Sequence, residues 1–119
     1  MTAKALVLLL LVGVLLAGCS SPKGASTPDT DTHGRYVIHM TGSNRFTPMD
    51  AKVPVNATVV WVNDAGVHDV TSDDDAFRSP RTMAQGAEFD HRFTTPGTYT
   101  YVCTLHTSQG MTGTIHVEA

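Results

Sequence analysis

Short hydrophobic runs with a period of two residues begin at Arg35 and continue to the C-terminus. Turn-forming residues separate them at Thr47-Pro48, Pro54-Asn56, Asn63-Gly66, Ser79-Pro80 and Thr95-Gly97. Runs such as ATVVWVN (57–63), EFDHRF (88–93), TYTYVC (98–103) and TGTIHVE (112–118) are typical of half-buried strands, and no segment has a helical period. This pattern predicts one all-β domain, an antiparallel β-sandwich or barrel. Its predicted core members are Trp61, Phe89, Phe93, Tyr99 and either Val60 or Val62.

The N-terminal segment has the features of an export signal. Lys4 precedes the uninterrupted apolar run ALVLLLLVGVLL (5–16), which is shorter than the roughly 20 residues that cross a bilayer but suits a signal peptide. The run ends in LAGC (16–19), which resembles the lipobox of lipoproteins, whose cysteine is lipidated and becomes the new N-terminus. We therefore predict a lipoprotein signal peptide over residues 1–18 and lipidation of Cys19. The alternative is an ordinary signal peptide in which this cysteine is incidental.

The next segment, residues 19–34, contains mainly Ser, Thr, Pro, Asp and Gly. It has too little apolar surface to offset the entropy of ordering. We therefore predict a flexible tether over 19–34 and a folded domain over 35–119. Several acyl chains on Cys19 would anchor the domain at a membrane surface, on the outer face of the cytoplasmic membrane or in the periplasm.

Charge alone does not identify a partner. The formal net charge is −3 and no basic stripe is present, so nucleic-acid binding is not predicted. The run Asp73-Asp74-Asp75 lacks the alternating spacing of a calcium loop, and we interpret it as part of a solvated loop.

Cys103 is one of only two cysteines in the chain. If Cys19 carries lipid, no partner remains for an intramolecular disulfide. A free thiol in an exported protein is then buried and inert, a nucleophile, or a metal ligand.

The residues after Cys103 favour a metal ligand. The spacing C-x2-H-x4-M brings His106 and Met111 into the same loop between two predicted strands, and Gly110 allows a tight turn there. A thiolate, an imidazole and a thioether form a soft donor set that suits copper, whereas a thioether contributes little to a zinc site.

A trigonal copper site needs a second imidazole. His68 follows the strand-like WVN and a Gly-containing turn, so it lies in a loop that can meet the Cys103–Met111 loop at one end of a sandwich. His91 is the rival, but its place within a strand favours a hydrogen-bonded core residue. His39 and His116 lie on strands without a nearby sulfur and are interpreted as structural or exposed.

The chain resembles the type 1 (blue) copper proteins of the cupredoxin family, in particular plastocyanin, pseudoazurin and halocyanin. The resemblance extends from about Tyr36 to Val117 and depends on FTPMDAKVPVNATVVWVN, AGVHDVTSDD, TTPGTYTYVCTLH and GMTGTIHV, in the family's order. It implies a Greek-key β-sandwich and one copper ion. The implied ligands are His68, Cys103 and His106, with Met111 as the long axial ligand.

Three positions depart from the plastocyanin pattern. Asp69 replaces an Asn after the first histidine ligand, and its side chain could still accept a bond from the Thr104 hydroxyl. Leu105 replaces a Pro and keeps a backbone N–H, which we expect to donate to the Cys103 sulfur and raise the reduction potential. Val102 replaces the Tyr of a remote docking route, so exchange through the edge of His106 is expected, with Leu105 in an apolar rim.

The resemblance implies one-electron transfer between redox proteins and not an enzyme. Contact with such partners must be brief, which favours a small patch, and we expect a monomer. One rival is an enzyme with Cys103 as nucleophile and His106 or His68 as base, but no oxyanion motif is recognisable. A second rival is an exported copper carrier or sensor without an electron-transfer role.

Overall fold

The computed structural model describes residues 24–119, and they form a sandwich of two four-stranded sheets. The strands are β1 (Tyr36–Met40), β2 (Phe46–Thr47), β3 (Asp50–Pro54), β4 (Thr58–Asn63), β5 (Thr71–Ser72), β6 (Glu88–Arg92), β7 (Gly97–Val102) and β8 (Thr112–Glu118), with a single 3₁₀ turn (Thr107–Gln109) before β8. One sheet has the order β2-β1-β4-β6 and the other β3-β8-β7-β5. The predicted β-sandwich is confirmed. The predicted signal peptide and Cys19 lie outside the described residues.

The sheets are mixed rather than wholly antiparallel. β1 runs parallel to β4, and β3 runs parallel to β8, whereas the other four pairs are antiparallel. Between β1 and β4 the chain makes a short hairpin to β2 and then crosses to the other sheet as β3. It therefore returns to β1 in the same direction. The alternating pattern could not reveal this, because a half-buried strand has a period of two residues with either kind of neighbour.

An aromatic cluster fills the space between the sheets. The ring centroid of Trp61 lies 5.4 Å from those of Phe77 and Tyr101 and 5.6 Å from that of Phe89. Of the predicted core residues, Trp61, Val60 and Phe93 are buried, and Phe89 and Tyr99 are partly buried against the core. The irregular segment before β6 adds Phe77 and Met83 to the core, which the sequence pattern did not indicate.

Residues 26–34, here called the N-terminal strap, lie against the domain, whereas we predicted them to be part of a flexible tether. The Ser26 N–H donates to the Asp50 carbonyl at 3.0 Å, and the Lys52 N–H donates to the Ser26 carbonyl at 2.9 Å. The strap then reaches β1, where the Val37 N–H donates to the Asp29 carbonyl at 2.8 Å. The two bonds of Ser26 pair backbone groups at the free edge of β3. Side-chain composition does not encode such backbone contacts.

No helix in residues 24–119 is long and apolar enough to span a membrane.

Candidate metal centre

The loop after β4 presents His68 in a fully buried position. The side-chain amide of Asn63, at the end of β4, donates to the carbonyls of Gly66 and Met83, both at 2.8 Å. The backbones of His68 and Met83 also exchange hydrogen bonds in both directions, at 3.2 and 2.8 Å. The loop is thus fixed on two sides.

One ring nitrogen of His68 forms a hydrogen bond that orients the imidazole. Nε2 lies 2.8 Å from the Ala65 carbonyl oxygen, which can only accept, so Nε2 carries the hydrogen and donates it. Nδ1 therefore keeps its lone pair, as a metal-binding imidazole requires. Gly66 belongs to the same turn, with φ of +82°, and a Cβ there would lie 3.2 Å from His68 Nε2. A larger residue would be strained by its backbone conformation and would crowd the ring.

The loop between β7 and β8, residues 103–111, is closed by backbone hydrogen bonds and is here called the ligand loop. The Cys103 N–H donates to the Met111 carbonyl at 3.0 Å, and the His106 N–H donates to the Cys103 carbonyl at 3.1 Å. The Met111 N–H donates to the His106 carbonyl at 3.3 Å. Gly110 ends the 3₁₀ turn in the left-handed conformation, with φ of +70°. This backbone fixes the relative positions of the three side chains with donor atoms.

The two loops bring His68, Cys103 and His106 together, as predicted. Their donor atoms lie within 4.8 Å of one another, and they form the sole such group of His, Cys, Asp and Glu residues found within 24–119. The Nδ1 atoms of the two histidines are 3.2 Å apart. Cys103 Sγ lies 3.9 Å from His68 Nδ1 and 3.4 Å from His106 Nδ1.

These distances fit a single metal ion. Metal bonds to imidazole nitrogen and thiolate sulfur are about 2.0–2.3 Å long, and each measured separation is shorter than two such bonds. One ion can therefore contact all three atoms. Two imidazoles and one thiolate are also the trigonal donor set of blue copper sites.

Met111 is fully buried at the start of β8. Its backbone bonds to both Cys103 and His106 place it at the base of the ligand loop. Axial ligation by its thioether stays a prediction.

Asp69 ties the two loops together. It is almost completely buried, and its carboxylate accepts the Thr104 N–H at 2.6 Å and the Thr104 hydroxyl at 2.5 Å. The bond from the hydroxyl was expected from the sequence, whereas the bond from the backbone N–H was not. Because Asp69 follows His68 and Thr104 follows Cys103, this contact joins the two ligand-bearing loops directly.

Burial raises the pKa of the Cys103 thiol. The backbone N–H groups of Asp69 and Leu105 act in the opposite direction, because they stabilise the thiolate. The Asp69 carboxylate adds to the effect of burial. The Leu105 N–H thus acts on the thiol in the expected direction, whereas its hydrogen bond to the sulfur stays a prediction.

The remaining histidines of strands β1, β6 and β8 do not join the group. His91 is partly buried, with its ring centroid 5.2 Å from that of Phe77 and 4.8 Å from that of Phe93, and burial lowers its pKa. It packs among aromatic rings, and no side-chain hydrogen bond to it occurs within residues 24–119, which differs from the hydrogen-bonded role we predicted. His39 contacts Asp64 and His116 contacts Thr98.

Sequence reasoning missed the residues that support the site from behind. Asn63, Ala65 and Met83 act through one side-chain amide and through backbone groups. Asn63 ends a strand and begins a turn signal, so its position was visible. The contact with Met83 joins residues 20 apart in an irregular segment and had no sequence signal.

Two apolar residues next to the group in the sequence are exposed at the surface. Val67 and Leu105 each precede a histidine of the site and are 47% and 44% exposed, and His106 itself is partly exposed. Leu105, the residue predicted to be part of an apolar rim, is thus accessible from outside, whereas Cys103 and His68 are fully enclosed.

Comparison with known proteins identifies a family. Residues 37–118 match the model of copper binding proteins of the plastocyanin/azurin family. The chain is 35% identical to halocyanin from Natronomonas pharaonis over 102 residues, which cover 80% of this chain and 63% of that protein. It is 34% identical to plastocyanin from Scenedesmus fuscus over 88 residues, covering 65% of this chain and 90% of that protein. Among solved structures, an M51A mutant of amicyanin in the Cu(I) form superposes with a TM-score of 0.64 at 27% identity, covering 79% of this chain and 94% of that one.

Proposed function

The chain belongs to the plastocyanin/azurin family of copper-binding proteins, and from this premise we propose that it transfers single electrons between redox proteins through one copper ion. The observation that carries the proposal is the convergence of His68 Nδ1, Cys103 Sγ and His106 Nδ1. When bound there, copper supplies a one-electron couple between Cu(I) and Cu(II). Met111, at the base of the ligand loop, would be its fourth ligand.

The protein's contribution is to hold the donors in place and to exclude water. His68 is oriented by the Ala65 carbonyl, and Cys103 and His106 by the closed ligand loop. Hydrogen bonds between the two loops hold the donor atoms close together, so these atoms need not move far during electron transfer. A set that moves little makes each transfer fast, because little reorganisation accompanies it.

Electrons leave and enter through the edge of His106. It is the one partly exposed member of the three residues, and the exposed residues Val67 and Leu105 each directly precede a histidine of the group in the sequence. A partner that contacts this rim needs to bury less than about 1,200 Å², as brief redox contacts do. Val102, on the strand before Cys103, offers no aromatic ring for a second route.

The protein is not an enzyme in this proposal. Cys103 is fully enclosed, whereas a nucleophilic cysteine must be accessible to its substrate. We further propose that the chain is exported, anchored to a membrane through lipid on Cys19, and monomeric. Its partners are redox proteins at that membrane.

The visible spectrum and the electrochemistry of the copper-loaded protein test this function. We expect the intense thiolate-to-copper band of a blue site, which is lost in Cys103→Ser because serine has no thiolate, and a reversible one-electron midpoint potential. His91→Gln is the matched control, since it removes an imidazole outside the group and should keep the colour. A colourless copper-loaded protein would contradict the site. A blue protein without reversible electron exchange would favour a copper carrier or sensor instead.

A further inference from the structure

A polar cleft adjoins the metal centre. Its volume is about 200 Å³, and it is lined by Asp69, Thr71, Arg78, Arg81 and Thr104. We call it the arginine cleft. Asp69 and Thr104 also form the contact that joins the two ligand-bearing loops. A molecule in this cleft would therefore lie one residue from His68 and one residue from Cys103.

The charged groups of the cleft do not neutralise one another by direct contact. Arg78 pairs with Asp75 at 2.9 Å, and within residues 24–119 Arg81 has no ion pair. The carboxylate of Asp69 also forms no ion pair with either arginine in that part of the chain, although all three line the same cleft. The Asp69 carboxylate is thus separated by a gap from the guanidinium groups of Arg78 and Arg81.

The hydrogen-bonding capacity of the cleft defines what could fill this gap. The Thr104 and Thr71 hydroxyls both donate to Asp69, at 2.5 and 3.5 Å, so neither has its proton available for a ligand. A carboxylate has about four lone-pair sites, and protein donors occupy three of them, which leaves room for one further donor. The arginines present planar forks of N–H donors that match an oxyanion.

A ligand that suits both sides must offer oxygen acceptors to the arginines and one O–H donor to Asp69. Inorganic phosphate keeps at least one proton at neutral pH, whereas sulfate keeps none. A fully deprotonated oxyanion would bring an oxygen lone pair against the Asp69 oxygens. The cleft volume also exceeds that of several water molecules, at about 30 Å³ each, so a tetrahedral oxyanion fits.

We propose that the arginine cleft is a binding site for a protonated phosphate group, held by Arg78 and Arg81 and recognised through its hydroxyl by Asp69. This binding does not depend on electron transfer. Because the bound anion adds negative charge beside both ligand-bearing loops, it stabilises the more positive, oxidised metal site. By linkage, oxidation strengthens phosphate binding by the same factor by which phosphate favours oxidation.

Calorimetry with inorganic phosphate on the full chain tests the site directly. We expect saturable one-to-one binding that Arg81→Gln weakens at least about tenfold, because a charge-assisted hydrogen bond is lost. Arg45→Gln is the matched control: it removes the same charge from an exposed arginine outside the cleft and should leave the affinity unchanged. Absence of saturable binding, or equal loss in both variants, would overturn the proposal.

Sulfate at equal ionic strength tests the role of Asp69. We expect it to bind at least about tenfold more weakly than phosphate to the wild-type chain. Asp69→Asn should remove this preference, because an amide can donate to sulfate. Equal affinity for both anions in the wild-type chain would overturn the assignment of Asp69.

A phosphate monoester in a lipid headgroup has the same chemistry as free phosphate. Co-sedimentation with phosphatidylcholine vesicles, with and without phosphatidic acid, separates the two sources. Binding to phosphatidic acid vesicles that free phosphate displaces and that Arg81→Gln abolishes would identify the headgroup as ligand. Calorimetric binding without vesicle binding would identify the free anion.

The coupling has its own readout. Phosphate should lower the midpoint potential of the copper-loaded chain relative to chloride at equal ionic strength, and this shift should be lost in Arg81→Gln and kept in Arg45→Gln. A potential that phosphate leaves unchanged, despite measurable binding, would overturn the linkage.

Discussion

The ring of Tyr101 occupies the space that a side chain on Gly113 would need. The two residues face each other on β7 and β8, and a Cβ on Gly113 would lie 2.3 Å from the Cζ and Oη atoms of Tyr101. Burial raises the pKa of the Tyr101 hydroxyl far above its ordinary value. Because Gly113 has no side chain, the ring of Tyr101 can lie over this position on the neighbouring strand. Tyr101 itself is two residues before Cys103 in the sequence.

Gly113→Ala should lower the free energy of unfolding by about 1–3 kcal/mol, because overpacking forces the Tyr101 ring out of its position. Denaturant unfolding monitored by fluorescence measures the loss. Gly42→Ala is the control, since a Cβ there meets only the Ala65 Cβ, at 3.2 Å, and should cost less. An alanine at 113 without cost would contradict the packing.

A second effect of a single residue is that of the Leu105 N–H on the Cys103 sulfur. Burial raises the pKa of the Cys103 thiol, and the Leu105 N–H opposes this rise because it stabilises the thiolate. A donor of this kind withdraws electron density from the sulfur and disfavours the oxidised metal site.

Leu105→Pro should therefore lower the midpoint potential of the copper-loaded protein, because proline has no N–H. Protein-film voltammetry measures the change. Leu105→Ala keeps the N–H and removes the same exposed leucine, so it controls for the lost apolar surface and should leave the potential close to that of the wild type. An unchanged or higher potential in the proline variant would reject the bond.

At the scale of elements, a turn after β5 inserts Phe77 into the core. The Ser72 N–H donates to the Phe77 carbonyl at 3.0 Å, and the Phe77 N–H donates to the Ser72 hydroxyl oxygen at 3.2 Å. Asp74 supports this turn by accepting the Ala76 N–H at 3.0 Å and the Ser72 hydroxyl at 2.8 Å. The aspartates of this loop are exposed, as the interpretation of a solvated loop requires.

The Asp74 turn should make stability depend on pH. The Ala76 N–H and the Ser72 hydroxyl lower the pKa of Asp74 below its ordinary 3.8, and burial opposes them only in part. A depressed pKa in the folded state contributes stability above pH 3.8, which is lost as the pH falls through the folded value. Asp74→Asn should thus lower the denaturant midpoint near neutral pH and differ less from the wild type in acid. An equal difference at both pH values would contradict this assignment.

Much of the site could be predicted at this scale because its information is local. Cys103 and His106 lie three residues apart in one loop, and turn signals placed His68 at a strand end. Copper was then inferred from the chemical softness of the donor atoms, which requires no knowledge of long-range contacts. The pairing of Met83 with His68 and the parallel placement of β3 beside β8 could not be predicted, because backbone bonds between distant segments make them.

At the scale of the whole molecule, the N-terminal strap covers part of the free edge of β3. Exposed strand edges offer unpaired N–H and carbonyl groups to other chains, and Ser26 occupies two of these groups. The strap also carries Asp31, which binds Arg35 at 2.7 Å, and Arg35 reaches Glu88 and Asp90 on β6 at 3.3 Å. The strap therefore connects the edge of one sheet to strands of the other.

Ser26→Pro should release the strap from β3, because proline cannot donate the bond to Asp50. The backbone N–H of Lys52, which donates to the Ser26 carbonyl, should then exchange faster with deuterium. Thr27→Pro is the control, since no backbone bond from the Thr27 N–H occurs in the described part of the chain. Unchanged protection of Lys52 in the Ser26 variant would show that the strap does not protect this edge.

The backbone bond between Cys103 and Met111 closes the ligand loop at its base. The residues between Cys103 and Met111 are therefore joined to the sheet at one backbone hydrogen bond at the end of the β7–β8 hairpin. Segments of other lengths and sequences could be grafted between the same two anchors without disturbing the sheets below. Sequence divergence or protein engineering could thus change the absorption spectrum and the reduction potential of the centre by exchanging this one loop.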